Sequence, residues 1–483
     1  MTDAIELIRA NAPLLGVGLP LFGAALMLAA PGARSAWALA SLTMLATATV
    51  AVDLAMRLAS GAPFLSVGAG LRPDGVGVWA FTVQTCLATL VAIGAGAMLR
   101  EFHQRAAPFA FALFLVMVAA WNAAALSASF IGFAAAVETA WLAGVGVAAL
   151  HGDRDRGALS GALRMLTAGG VAGALLLVGA ALTVRGAGAD LTALTEQQPP
   201  APGAAALGMG MMIAALALKA GVAPLHAWTG PAFGRVGGFG ALALGAIGVV
   251  AALFALLRVS AYAMAAPAIA VSVSHVLLTL GVISVVIPSM QAVGAVNVRR
   301  LAAYAAAAQA GCVLVSAALG SPAGFAAALV QITALGIAAM ALFGGAASLG
   351  QAHGLDALDG LARRAPLSAL AVTAGALSVM GAPLTLGFLG RWRLIEAGVG
   401  GGWWWAAGAV IVVSLAAVFY AGRLIERVYF RRAGAAAVEP NLWRLTLGPA
   451  LVAATLAIGV GLEPSLLLRA ADAAAALATG PAP

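Results

Sequence analysis

Apolar runs of about twenty residues follow one another along almost the whole of this 483-residue chain. A helix needs about twenty apolar residues to cross the hydrocarbon core of a bilayer. Hydrophobic residues make up 63% and charged residues 9% of the chain, whereas a soluble domain has roughly 25% charged residues. The pattern predicts an all-α integral membrane protein with about fourteen spans. They are expected at 13–32, 36–57, 76–99, 107–127, 129–150, 159–183, 204–229, 236–261, 266–290, 300–319, 322–348, 366–393, 402–424 and 442–462.

The arginines indicate how the spans are oriented. They are spread thinly between the apolar runs, so the net charge of +8 does not indicate a nucleic-acid partner. With the N-terminus outside, the inner loops hold most arginines, including the pairs at 299–300, 363–364 and 431–432. Because inner loops are rich in Lys and Arg, we expect a bacterial inner-membrane protein with both termini on the non-cytoplasmic side. We also expect an irregular loop at 185–202 and a short interfacial helix after Glu463.

The sequence contains no recognisable catalytic centre. Cys86 and Cys312 lie far apart in apolar runs, without the spacing of metal ligands. The abundant glycines occur within apolar helices, where they serve close packing, and not in a loop between a strand and a helix. We therefore expect no metal site and no cofactor in this chain.

A short internal repeat predicts two broken helices. An Ala-Pro-Leu sequence follows a glycine in span 7, with Gly221 and Pro224, and again in span 12, with Gly381 and Pro383. Proline lacks a backbone donor and clashes with the preceding turn, so each span should break there. Such interruptions at matching places indicate two five-helix repeats of opposite topology with ion sites at the breaks, although packing kinks are an alternative. The expected division is 1–105 for spans 1–3, 106–262 and 263–432 for the two repeats, and 433–483 for the last span and tail.

Lys219 is the only lysine of the chain and lies inside an apolar run just before the first break. A lysine at bilayer depth costs at least a few kcal/mol unless it is paired, neutralised or hydrated. Unlike arginine, it can lose its proton when it is desolvated. We interpret it as a proton carrier, with a lysine that snorkels from a helix end as the alternative.

Glu138 lies in the middle of span 5 and needs a partner. Lys219 is the obvious candidate, because pairing in a low dielectric favours the charged forms of both groups and separation favours the neutral forms. An acid and a base that can separate form a switch for moving protons. The alternatives are a structural ion pair or a carboxyl group that stays protonated.

Five further residues are candidates for the same pathway. Arg391 and Glu396 follow the second break and mark either its exit or a subunit interface. Arg164 opens span 6 and is either part of the pathway or a topology anchor. His226 and His275 are candidate relays because neutral imidazole both donates and accepts, but a membrane histidine can equally join two helices by a hydrogen bond.

Several motifs resemble those of a known family. The stretch 219–228, Lys-Ala-Gly-Val-Ala-Pro-Leu-His-Ala-Trp, resembles the seventh-helix motif of the antiporter-like subunits of respiratory complex I, Mrp-type sodium/proton antiporters and membrane-bound hydrogenases. The stretches 297–304 and 377–392 resemble the family's tenth- and twelfth-helix motifs, and Glu138 falls at its fifth-helix glutamate. The resemblance implies a proton or cation half-channel gated by Glu138 and Lys219, a central hydrophilic axis, and assembly with other membrane subunits.

The chain also departs from that family pattern. The family usually has ionisable residues in the eighth and eleventh helices, where this chain has Val250, Gln331, Leu335 and Ala339, and a lysine where it has Arg391. Either water and His275 bridge the gap, or conduction through the chain is lost.

The leading hypothesis is a proton (or Na⁺/H⁺) translocating subunit of a complex I-like, hydrogenase-like or Mrp-like assembly, which could belong to a redox-driven pump. The alternative is a degenerate scaffold subunit that does not conduct; a stand-alone transporter is disfavoured because few polar residues lie inside the spans.

Overall fold

The structure is a computed structural model that describes residues 9–61, 70–101, 106–150, 156–188, 202–349, 354–433 and 444–479. Within these ranges the backbone is helical apart from turns and two isolated bridges. The prediction of an all-α membrane protein is therefore confirmed. Most of the expected irregular loop at 185–202 lies outside the described residues.

Sixteen long helices make up the described chain. They are α1 (Ala12–Leu26), α2 (Ala33–Ser60), α3 (Gly75–Gly94), α4 (Ala107–Leu126), α5 (Phe130–Ala149), α6 (Arg156–Ala187), α7 (Pro202–Ala220), α8 (Gly238–Ala265), α9 (Pro267–Gly294), α10 (Val298–Ala318), α11 (Pro322–Ala346), α12 (Pro366–Met380), α13 (Leu386–Gly400), α14 (Trp405–Tyr429), α15 (Arg444–Leu462) and α16 (Ser465–Thr479). Two short helices, Thr229–Phe233 and Leu361–Arg364, connect longer ones, and α8 contains a π-turn at Leu244–Gly248.

The number of full crossings is slightly smaller than the sequence predicts. Among the described residues, twelve helices are long and apolar enough to cross a membrane. The bent pair of α15 and α16, with an angle of 85°, would be a thirteenth. The predicted span 366–393 is split into α12 and α13, of 15 residues each, because the helix breaks between them. α16 is the short helix expected after Glu463.

Small residues bring the helices that carry the site into close contact. A Cβ atom on Gly179 of α6 would lie 2.7 Å from the carbonyl oxygen of Gly208 in α7. The same applies to Gly311 of α10, whose Cβ would lie 2.7 Å from the carbonyl oxygen of Gly281 in α9. Any side chain at these crossings would push the backbones apart, as is common where membrane helices pack closely.

The centre of the molecule is formed by α8, α10 and α11, whose side chains are almost all buried. By contrast, α2, α9 and α14 expose many large apolar side chains at the periphery. This arrangement gives a central helix layer surrounded by helices whose outer faces suit lipid or other apolar partners.

Candidate functional site

The two predicted breaks are present and share one local geometry. α7 ends before Gly221 with φ 72° and α12 ends before Gly381 with φ 73°, in the left-handed region that favours glycine. The glycine N–H donates to the carbonyl three residues earlier, at 3.1 Å for Gly221 and 3.0 Å for Gly381. The next N–H donates to the carbonyl five residues earlier, at 2.9 and 3.0 Å. Pro224 and Pro383 follow, so neither helix can continue without interruption.

Lys219 lies at the C-terminal end of α7 and forms an ion pair with Glu138 of α5. Its Nζ atom is 3.0 Å from Oε1 and 3.2 Å from Oε2 of the carboxylate. The lysine side chain is 0% exposed, whereas that of Glu138 is 18% exposed. Two groups that the sequence separates by 81 positions therefore meet inside the bundle, as expected from the sequence.

Three tryptophans surround the lysine. The Nζ atom lies 4.5 Å from the ring centre of Trp141, within the range of a cation–π interaction. Trp141 and Trp228 meet edge to face with ring centres 5.1 Å apart, and their indole N–H groups donate to backbone carbonyls at 3.2 and 2.8 Å. Trp121 completes a cavity of about 10 Å³ beside Lys219, which is enough for about one water molecule.

Two glycines of α6 position the acid and the indole on α5. A Cβ atom on Gly173 would lie 2.8 Å from Oε2 of Glu138. One on Gly169 would lie 1.8 Å from Nε1 of Trp141. The absence of side chains at these places lets α6 pack directly over the ion pair, which limits access of water from that side.

His226 follows the first break and is 5% exposed. Its Nε2 atom lies 2.6 Å from Oε1 of Gln291, near the end of α9, while Nδ1 is buried without a hydrogen-bond partner. Gln291 is exposed, so the imidazole forms a buried link between the break and the protein surface. The sequence singled out His226 but not Gln291, because a glutamine at the end of a span gives no signal of its own.

Arg391 lies at the second break and is 3% exposed. Its guanidinium donates to the carbonyl oxygens of Met380 and Val379, the latter at 2.6 Å, and to Oγ of Ser414 at 2.7 Å. The side chain therefore covers the C-terminal end of α12. Within the described part of the chain, these hydrogen bonds go to carbonyl and hydroxyl oxygens and none goes to a carboxylate.

A pair of glutamines extends this polar cluster into the central layer. Gln309 of α10 donates to the Val379 carbonyl at 3.0 Å and accepts from Gln331 of α11 at 2.8 Å. Both glutamines are 2% exposed. In the sequence, Gln331 stands out only because the family usually has an ionisable residue in that part of the eleventh helix. Its pairing with Gln309 depends on the packing of α10 against α11, which the sequence does not give.

Three other candidates lie apart from these clusters, and their predicted roles in the pathway stay predictions. His275 is exposed on α9 and Arg164 is exposed on α6. Glu396 is exposed on α13 and accepts a hydrogen bond from Nε1 of Trp392 at 2.7 Å. The structure brings none of the three next to Lys219.

An apolar cavity separates the two breaks. It measures about 30 Å³ and extends from Gly221 to Val379. Leu335 and Ala339, two of the positions where the family usually has ionisable residues, line it, and the nearby Val250 is fully buried. Cavities with such a lining usually stay dry.

A second buried ion pair was missed by the sequence analysis. The guanidinium of Arg258 in α8 contacts Oδ2 of Asp74 at 2.5 Å, and the hydroxyl of Tyr262 donates to the same oxygen at 2.8 Å. Arg258 also donates to the carbonyl oxygens of Ala124 and Ser127 at 2.9 and 2.8 Å. An arginine within an apolar run is the signal that could have found this cluster, but its partner lies 184 positions away.

Comparisons with known proteins agree with the fold and with the motifs. The family model described as "NADH:quinone oxidoreductase/Mrp antiporter, TM" matches residues 127–417, which contain both breaks and the Lys219–Glu138 pair. NADH-quinone oxidoreductase subunit N of Rhodopseudomonas palustris is 30% identical over 463 residues, which cover 93% of this chain and 95% of the relative. The corresponding subunit of Cereibacter sphaeroides is 30% identical over 318 residues, covering 65% and 68% of the two chains.

Solved structures share the fold. A chain in the structure of the Mrp complex from Dietzia sp. has a TM-score of 0.84 at 21% identity and covers 98% of both chains. A chain of respiratory complex I from Thermus thermophilus with bound aureothin has a TM-score of 0.76 at 23% identity and covers 94% of this chain and 98% of its own. On the match to the family model and the similarity to the subunit N proteins, this multi-pass membrane protein belongs to the NADH:quinone oxidoreductase/Mrp antiporter transmembrane family.

Proposed function

We propose that the chain is a proton-translocating membrane subunit of a multisubunit assembly, with Lys219 as the proton carrier and Glu138 as its counter-charge. The observation that carries the proposal is the ion pair at 3.0 Å between the only lysine of the chain and a mid-span glutamate. A buried charge is costly in a bilayer, and lysine is the basic side chain that can give up its proton there.

The surroundings of Lys219 suit a switch between two protonation states. When the pair is closed, the carboxylate stabilises the ammonium form. When the pair opens, the buried amine loses its counter-charge beside a cavity of about 10 Å³. Desolvation then favours the uncharged form by more than the cation–π contact with Trp141 opposes it. Movement of Glu138 by a few ångströms would then release a proton from Lys219.

His226 and Gln291 link the first break to the surface. The imidazole is close to α9 through its contact of 2.6 Å with Gln291, and it carries a buried, unpartnered Nδ1 atom that could accept a proton. In the orientation favoured by the arginines, with both termini outside a bacterial inner membrane, Gln291 lies at the cytoplasmic end of α9. We therefore propose that protons reach Lys219 from the cytoplasm by way of His226.

The architecture supports the proposal of two repeats, 106–262 and 263–432. Each repeat contains one of the two predicted breaks, where the helix ends before Gly221 or Gly381, and the two breaks have the same hydrogen-bond pattern. Relatives of this chain are named as subunits of NADH-quinone oxidoreductase, and a solved structure of similar fold is titled as an Mrp complex. We propose that this chain also works beside other membrane subunits, as part of a complex I-like or Mrp-like assembly.

The proposal is tested with the native assembly reconstituted in sealed vesicles. Driven proton uptake is measured with a pH-sensitive dye for the wild type, for Lys219→Ala and for Arg469→Ala, an exposed arginine on α16. We expect Lys219→Ala to abolish uptake without loss of assembly, and Arg469→Ala to retain it. Uptake that survives in an assembled Lys219→Ala variant would contradict the assignment and favour the scaffold alternative.

A further inference from the structure

The carbonyl groups that the second break sets free are occupied by donors of the chain itself. Val379 accepts from both Arg391 and Gln309, at 2.6 and 3.0 Å, and Met380 accepts from Arg391. The guanidinium fits closely, since a Cβ atom on Gly381 would lie 2.5 Å from its Nη1 atom. In broken membrane helices, such free carbonyls are the groups that coordinate a transported cation. At the second break, the guanidinium of Arg391 binds to these carbonyls in place of a transported cation.

The two breaks differ in the type of cation that they hold. At the first break, the basic group is a lysine that is paired with a carboxylate, and the carbonyl of Leu218 accepts from both the Gly221 N–H at 3.1 Å and the indole N–H of Trp228 at 2.8 Å. At the second break, the basic group is an arginine, stabilised by neutral oxygens at a helix C-terminus, where the helix dipole favours positive charge. Only the first group can release a proton at accessible pH.

We propose that Arg391 is a tethered, permanent cation that closes the second break to protons and metal cations. The inference rests on the proposed function of Lys219, because it states which part of the chain the protons do not use. A guanidinium cannot pass on a proton, and its charge repels an approaching cation most strongly where water is scarce. The largely apolar lining of the cavity of about 30 Å³ between the breaks disfavours a chain of water from the second break towards Gly221.

This role makes Arg391 a specificity-determining residue rather than a proton carrier. Protons bound at Lys219 would reach both sides of the membrane through the first repeat, and the second repeat would keep the shape of a half-channel while remaining shut. Replacement of the guanidinium by a neutral side chain should leave the carbonyls of Val379 and Met380 free for water or a cation. Lysine at this position would also be positive when protonated, but unlike arginine it can lose its proton.

The test measures passive leak in vesicles that contain the whole assembly without its energy source. A potassium gradient with valinomycin sets a membrane potential, and proton entry is followed with a pH-sensitive dye trapped inside. The variants are Arg391→Gln, Arg391→Lys and the control Arg393→Gln, whose parent side chain lies two residues away and pairs with the exposed Asp472. Assembly of each variant is checked by size-exclusion chromatography before the assay.

We expect Arg391→Gln to raise the proton leak by at least about tenfold, which corresponds to about 1.4 kcal/mol of barrier. Arg391→Lys should raise the proton leak but not the leak of Na⁺, measured in parallel with a sodium dye, and Arg393→Gln should match the wild type. If Arg391→Gln does not assemble, the result for Arg391→Lys decides. A proton leak that is unchanged in the assembled variants would overturn the inference. Failure of the proposed function would show separately, as driven uptake that persists in Lys219→Ala.

Discussion

Lys219 and Glu138 lie on different helices, yet the ammonium nitrogen of the lysine is 3.0 Å from Oε1 of the glutamate. The two side chains differ in their surroundings, because the lysine is fully buried while the glutamate is 18% exposed. We propose that Glu138, as the more exposed member, moves or meets another group and thereby controls the charge of Lys219.

Energetic coupling between the two charges should be measurable. Glu138→Gln or Lys219→Met alone leaves one buried charge unpaired and should destabilise the protein by about 3–5 kcal/mol. The double variant removes both charges and should recover a large part of that loss. Thermal unfolding of the four proteins in detergent gives the coupling energy. Additive effects of the two substitutions would show that the charges do not interact.

The position of Trp141 should depend on the lack of a side chain at Gly169. In Gly169→Ala, the new Cβ atom would lie 1.8 Å from Nε1 of Trp141, so the indole above Lys219 must shift, at a cost of about 1–3 kcal/mol. We expect a lower melting temperature and slower driven proton uptake. The matched control is Gly170→Ala, where no atom lies within 4 Å of the new Cβ. Equal behaviour of the two variants would argue against the described packing of α6 on α5.

The two histidines should differ in their effect on transport. His226 is buried and contacts Gln291 at 2.6 Å, whereas His275 is exposed on α9. We expect His226→Ala to slow driven proton uptake while Lys219 stays in place, and to cost about 2–4 kcal/mol of stability for the lost hydrogen bond and the cavity left by the buried ring. His275→Ala should leave uptake unchanged. If His275→Ala slowed uptake and His226→Ala did not, His275 and not His226 would be the relay.

The ion pair of Asp74 and Arg258 should contribute to stability and not to proton transport. Asp74→Asn leaves the guanidinium, which is 2% exposed, without its charged partner and should cost about 3–5 kcal/mol. Asp472→Asn, at an ion pair whose acid is 49% exposed, should cost less than about 1 kcal/mol. Melting temperatures of both variants in detergent check the difference. If both variants lost the same amount of stability, the burial of the Asp74–Arg258 pair would not add to its contribution.

The sequence predicts much of this structure because the bilayer restricts the choice of elements. Apolar runs give most helices within a few residues, although α7 ends at Ala220 and not at residue 229 as predicted. The Gly-Pro pattern gives both breaks, since φ near 72° at Gly221 and Gly381 and the missing proline donors are local properties. The pairing of Lys219 with Glu138 follows from the high cost of leaving either charge alone in hydrocarbon.

Other contacts could not be predicted because they depend on how distant helices pack. Asp74 is a loop residue in the sequence and becomes the partner of Arg258 only when α3 meets α8. Gln309 and Gln331 give no periodic signal, and they meet because α10 and α11 are neighbours in the central layer. The split of the predicted span 366–393 into two helices follows from the break itself, but the bounds of these helices are set by their packing.

Driven proton uptake by the assembly that carries Lys219→Arg tests the carrier role of Lys219 most directly. Arginine keeps the positive charge and can still pair with Glu138, but it does not release its proton. If Lys219 is the proton carrier, the assembled Lys219→Arg variant should lose driven proton uptake to the same extent as Lys219→Ala. Uptake at the wild-type rate would mean that this position needs only a positive charge, and the carrier role of Lys219 would be wrong.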